Sequence, residues 1–195
     1  MMKRRISKAL ALAVALPMLL AACASSEKSS SEKASTPAPV ASLYSNASPL
    51  DLRLSAWPYP YPLKEFKTSL QGQPASMIYM DVPAVGKQKG AVVLFHGKNF
   101  SSDYWALTIA GLTQAGYRVV APDQIGFGKS SKSDVAYHFD DLAANTQALL
   151  KSLKITKVSV IANSMGGMVG VRFARLYPNT VQKLVLENPL GLEDY

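Results

Sequence analysis

One serine stands apart in this chain. Ser164 lies in Ala162-Asn163-Ser164-Met165-Gly166-Gly167, after an apolar run and before a stretch with helical spacing. A sharp strand-to-helix turn at that point would force the serine into a strained backbone conformation and lift its hydroxyl clear of the chain. Residues two positions away must then be small, and Ala162 and Gly166 are. An exposed hydroxyl over a helix N-terminus suits nucleophilic attack on a carbonyl, because the helix dipole favours the negative charge that develops. The competing reading of Ser164 is a simple helix N-cap.

Two further loops carry polar residues directly after apolar runs. Phe95-His96-Gly97-Lys98-Asn99-Phe100 can make a tight turn that aims a backbone N–H at a substrate oxygen. The backbone N–H groups of Lys98 and Met165 are the candidate oxyanion donors, each worth roughly 3 kcal/mol in a transition state. His96 is read as a brace for this turn and not as a base. Asp123-Gln124-Ile125-Gly126-Phe127-Gly128-Lys129-Ser130 is read as a shaped loop beside the site; its Gly-x-Gly lacks the rest of a nucleotide-binding fingerprint. The chain has two histidines, and the other, His138, precedes the serine and is a candidate substrate contact or a helix-end residue.

The elements that would position these loops follow from periodicity. Glu65 to Leu70 and Ala75 to Val82 alternate like paired antiparallel strands around a Gln71-Gly72-Gln73-Pro74 turn. Gly90 to Phe95 is a continuous apolar run, as in a strand buried on both faces. Asp103 to Ala115 places Trp105, Ile109 and Leu112 at helical spacing, with Gly116 to stop it. Tyr117 to Ala121 is a strand, Phe139 to Leu153 a helix, Lys157 to Ala162 a strand, Met165 to Tyr177 a helix, and Val181 to Glu187 a strand. Alternating strands and helices predict an α/β fold with a mainly parallel sheet flanked by helices. In such sheets ligands bind at the carboxyl ends of the strands, where the three loops fall.

The motifs His96-Gly97, Pro122-Asp123-x-x-Gly126-x-Gly128-x-Ser130, Asn163-Ser164-Met165-Gly166-Gly167 and Leu186-Glu187-Asn188-Pro189 resemble, in order and spacing, the first part of an alpha/beta-hydrolase. The usual Gly-x-Ser-x-Gly reads Ala-x-Ser-x-Gly here. The resemblance implies a serine hydrolase acting on a small-molecule ester or related acyl compound, with no metal or organic cofactor. The Asn-Ser-Met-Gly-Gly form is similar to that of carbon–carbon bond hydrolases and of many esterases. In the family an acid and then a histidine follow the serine, and neither His96 nor His138 fits that order. Glu187 is left unassigned; Glu193 and Asp194 are read as exposed tail residues. The expectation is therefore an incomplete hydrolase holding strands one to six, with the last strand's edge bare and one sheet face short of a helix. An inactive binding remnant is the alternative.

The N-terminus reads as an address. Lys3, Arg4, Arg5 and Lys8 precede a short apolar run from Ala9 to Ala22, too short to span a bilayer. Leu20-Ala21-Ala22-Cys23 resembles a bacterial lipobox, which implies a signal peptide over 1–22 and lipid on Cys23, the one cysteine. By resemblance Ala24 favours the outer membrane. Residues 23–56 would be a tether, Ser-, Ala-, Lys-, Glu- and Pro-rich over Ala24 to Ser48. The domain would occupy 57–195. It opens with Ala56-Trp57-Pro58-Tyr59-Pro60-Tyr61-Pro62, an extended aromatic strap or a ligand-binding edge. The formal charge is +8, but four positive charges lie in the first eight residues and the remainder carries +4. With no basic run, nucleic acid is not an expected partner.

Overall fold

The computed structural model describes residues 50–191. Cys23, the signal and tether assignments before residue 50, and Glu193 and Asp194 lie outside the described residues. Among the described residues six strands form one sheet: β1 (Leu63–Leu70), β2 (Gln73–Val82), β3 (Gly90–Phe95), β4 (Tyr117–Pro122), β5 (Val158–Asn163) and β6 (Val181–Glu187). A short 3-10 turn, Ser102–Trp105, leads into α1 (Ala106–Gln114); α2 is Phe139–Ser152 and α3 is Met165–Leu176. No helix among the described residues is long and apolar enough to cross a membrane.

The strand order is β1-β2-β4-β3-β5-β6. β1 and β2 form an antiparallel hairpin, and β2 runs antiparallel to β4. From β4 through β3 and β5 to β6 every pairing is parallel. The hairpin turn is tighter than the pattern suggests: Gln73 and Pro74 already pair with Leu70 and Ser69. Only Gln71 and Gly72 turn, both at positive φ (49° and 78°), as a two-residue turn matched to strand twist requires. The expected Asp103–Ala115 helix also begins differently. Its first residues form the 3-10 turn, and true α geometry starts at Ala106.

Burial explains which runs are continuous and which alternate. β3 sits mid-sheet between β4 and β5, and Ala91 to Phe95 are all buried. One sheet face packs Phe95, Val160 and Ala162 against Leu142, Leu149 and Leu150 of α2 and Phe173 of α3. The other packs Met80, Leu94, Val119 and Ala121 against Trp105 and Ile109, with Tyr59 and Tyr61 of the strap at its edge. That second cover stops at α1. β5 alternates buried and half-buried residues, and Ile161 and Val185 border an open groove of about 360 Å³ with Leu112 and Tyr117. Among the described residues β6 pairs on one side only, with β5.

Candidate active site

Three adjacent parallel strands, β4, β3 and β5, end on the same side of the sheet, and the three chemistry-bearing loops follow them. Ser164 joins β5 to α3 at φ 52° and ψ −121°. A non-glycine residue holds such a conformation only when its surroundings over-determine it. Here the backbone does so. Ser164 N–H donates to the Glu187 carbonyl at 3.1 Å, and Ser164 C=O accepts from Gly167 N–H at 2.8 Å and Leu190 N–H at 3.1 Å. Its side chain makes no capping hydrogen bond to α3, so the geometry differs from that of an N-cap serine, whose backbone is extended and whose oxygen accepts from the helix. The hydroxyl is left available on a half-buried residue.

The elbow demands close approach. A Cβ on Gly166 would lie 2.7 Å from the His96 carbonyl oxygen and nearer still to that of Phe95. Glycine therefore lets the first turn of α3 sit directly on the end of β3. Gly97 makes a less severe approach to the serine: a Cβ there would fall 3.2 Å from Ser164 Cβ and 3.0 Å from Asn163 Oδ1. The turn that carries Lys98 thus runs alongside Ser164. Ala162 is fully buried at the end of β5, and Asn163 Nδ2 reaches the Glu187 carbonyl at 3.4 Å.

His96 is fully buried, and both ring nitrogens are engaged. Nε2 accepts from Gln124 N–H at 2.9 Å, which leaves Nδ1 as the donor to Gly97 C=O, also at 2.9 Å. Its ring meets Phe127 edge-on at 5.4 Å. Burial holds its pKa below the ordinary value, so the imidazole is neutral. The Gly97 carbonyl and the Lys98 N–H belong to one trans peptide plane and point in opposite directions. By fixing that carbonyl, His96 sets the direction of the Lys98 N–H. Lys98 itself is exposed, and Asn99 beside it takes a positive φ of 63°. Met165 opens α3, where position alone denies its N–H an intrahelical partner.

The third loop folds back on β2. Ser130 Oγ donates to Asp123 C=O at 2.7 Å and accepts from Ile78 N–H at 2.8 Å. His138 is exposed at the entry to α2, on the rim of a cavity of about 210 Å³ bounded by Phe127, Tyr137, Leu142 and Met165. Sequence reasoning left Glu187 without a task. The structure uses its backbone carbonyl, not its exposed carboxylate, to seat the serine. Asp123, read only as the start of a shaped loop, is a fully buried carboxylate that accepts four hydrogen bonds. Its place after a buried strand and in the Pro122-Asp123-x-x-Gly126 motif marked the loop, but nothing local named its partners Tyr59 and Ser102.

Residues 90–194 match the family model described as alpha/beta hydrolase fold, and the chain belongs to that family. A solved structure of a probable hydrolytic enzyme from Pseudomonas aeruginosa is 50% identical with a TM-score of 0.71, covering 73% of this chain and 46% of that one. A putative non-heme chloroperoxidase of Synechocystis sp. is 35% identical over 100 residues, 51% of this chain and 36% of that protein. A 2-hydroxy-6-oxo-6-(2'-aminophenyl)hexa-2,4-dienoic acid hydrolase of Metapseudomonas resinovorans is 35% identical over 105 residues, 52% of this chain and 36% of that protein. The chain spans little more than a third of the length of these curated relatives and under half of that solved structure.

Proposed function

We propose that this protein is a serine hydrolase acting on an ester or related acyl compound. The observation that carries the reading is the backbone of Ser164, held at positive φ between β5 and α3 with its hydroxyl uncommitted to the helix. Ser164 Oγ attacks the acyl carbon, its proton passes to a base, and the alcohol leaves. Water then releases the acid from the acyl-enzyme. The N–H groups of Lys98 and Met165 hold the oxyanion. His96 supports the turn from beneath. The relay needs a histidine and a carboxylate, and neither His96, spent on Gln124 and Gly97, nor His138, out on a cavity rim, is assigned that part. Both are assigned to the portion that relatives possess beyond the matched segment. The cavity between Phe127, Tyr137 and Met165 is the natural seat for an apolar acyl group, since it is of the size that holds a benzene-scale molecule.

A fluorophosphonate probe tests this. The full protein as encoded in its gene should be labelled at Ser164, and Ser164→Ala should abolish labelling. A folded full-length protein that takes no label sinks the reading. A second reading is hydrolysis of a carbon–carbon bond in a dienoic acid, supported by Asn163-Ser164-Met165-Gly166-Gly167 and by the Metapseudomonas resinovorans relative. It requires turnover of such an acid; turnover of aryl esters alone counts against it. For location, Leu20-Ala21-Ala22-Cys23 followed by Ala24 supports a lipid anchor on the periplasmic side of the outer membrane. Cys23→Ser should then move the protein from the detergent phase to the aqueous phase, and partition unchanged by the substitution would refute the anchor.

A further inference from the structure

The strap before β1 lies outside the family-matched segment, yet it reaches the centre of the site's support. Tyr59 donates from its hydroxyl to Asp123 Oδ2 at 2.6 Å. The same carboxylate accepts from Lys129 N–H at 2.8 Å, and its other oxygen accepts from both the N–H and the Oγ–H of Ser102 at 2.7 Å. Asp123 is fully buried. A Cβ on Gly128 would collide with this carboxylate, so a glycine is what lets the loop close over it. Burial, and then the charge of Asp123, raise the Tyr59 pKa well above its ordinary value, so the hydroxyl remains a donor at every working pH.

The oxyanion turn is therefore gripped at both ends by neighbours on one loop. At its start, Gln124 N–H holds His96, and His96 holds the Gly97 carbonyl. At its end, Asp123 holds Ser102. Four groups on the strap side fix where the Asp123 loop sits: the Tyr59 hydroxyl, the Tyr59 ring beneath Lys129 Nζ (5.2 Å to the ring centre), and the Leu54 and Ser55 carbonyls that accept from Lys129 Nζ at 2.6 and 3.0 Å.

We propose that Tyr59 is a positioning residue for acyl transfer: its hydroxyl aims the Asp123 carboxylate, Asp123 anchors Ser102, and the Gly97–Ser102 turn is thereby held where the Lys98 N–H meets the developing oxyanion. The catalytic part of this inference rests on the hydrolase reading above. The holding part does not. A partly buried side-chain hydrogen bond at 2.6 Å to a carboxylate is of the strong, charge-assisted kind. Losing a whole oxyanion donor slows such enzymes by roughly a hundredfold to a thousandfold, so misaiming one should cost about tenfold.

The test compares the full-length protein with Tyr59→Phe and with Tyr61→Phe, which deletes the same atom two residues on in the same strap. Amide hydrogen exchange should accelerate at least tenfold at Ser102 and through Lys98–Phe100 in Tyr59→Phe, and stay at the parent rate in Tyr61→Phe. With an aryl acetate, kcat should fall about tenfold in Tyr59→Phe with KM within twofold. The affinity for a boronic acid, which mimics the oxyanion, should fall by the same factor as kcat. Equal exchange in the two variants overturns the proposal. So does a loss shared equally between kcat and KM, which is what general loosening would give. A parent protein inert to both ester and phosphonate probe refutes the hydrolase reading together with the catalytic half of this inference. The exchange measurement then decides the holding half alone.

Discussion

The two halves of the site are held by different kinds of bond. The Ser164 elbow is fixed by main chain on main chain: Glu187, Gly167 and Leu190 grip the backbone of one strained residue. The Gly97–Ser102 turn is fixed by side chains: His96 at one end, and Asp123 with Tyr59 behind it at the other. The difference has a physical consequence. A main-chain lock is indifferent to most side-chain changes but intolerant of anything that separates the backbones. A side-chain lock can be opened by deleting one atom, because a buried carboxylate or imidazole left short of a partner bears the full cost of its desolvation.

Four measurements would break or sharpen that contrast. The largest effect belongs to Gly166→Ala. Its methyl group would meet two carbonyl oxygens at the end of β3, and with no flexible side chain to yield, stability should fall by about 3 kcal/mol in urea unfolding. A fall below about 1 kcal/mol would show that the elbow tolerates separation after all. Asp123→Asn comes next. The amide keeps the shape but turns a donor towards groups that are themselves donors, and should cost about 2 to 3 kcal/mol in the same experiment. A near-neutral result would mean that the four hydrogen bonds contribute little.

The third measurement concerns acid. Burial lowers the His96 pKa in the folded state, so the unfolded chain binds the proton more readily. Stability contributed by neutral His96 is complete above the unfolded value near 6.5 and is lost as pH falls below it. The slope should reach at most about 1.4 kcal/mol per pH unit. His96→Gln should flatten it, and an unchanged slope in that variant would assign the acid sensitivity elsewhere. The smallest effect is that of Arg172→Ala on α3. Its pair with Asp140 at 3.0 Å is about half exposed on both sides, and should contribute less than about 0.5 kcal/mol. A larger loss would mean that the α2–α3 contact depends on charge as well as on its apolar packing.

The parts of the fold that were legible in sequence are those with strong periodicity or unbroken apolar runs. Gly90–Phe95 and Val181–Glu187 coincide with their strands, and Phe139–Ser152 and Met165–Leu176 fall within a residue of expectation. The hairpin turn was read two residues too long, because Gln73 and Pro74 carry turn-like composition while the register pairs them as strand. The start of α1 was misjudged for a related reason. Apolar spacing continues unchanged from Trp105 into Ile109, so it cannot show where 3-10 geometry gives way to α.

Residue type and local spacing alone determined which loops could carry chemistry: a serine between small residues, a His-Gly turn after a buried strand, and glycines after the next. Those are local constraints, written within a few positions of each other. Only the tertiary structure decided what holds the loops in place. The Glu187 carbonyl lies 23 positions from Ser164, and the Tyr59 hydroxyl 64 positions from Asp123. No period or motif links such pairs. They meet because β6 pairs beside β5, and because the strap packs Tyr59 and Tyr61 against the sheet face that carries Met80, Val119 and Ala121. A polar group's partner is chosen by burial, and burial exists only once the chain has folded.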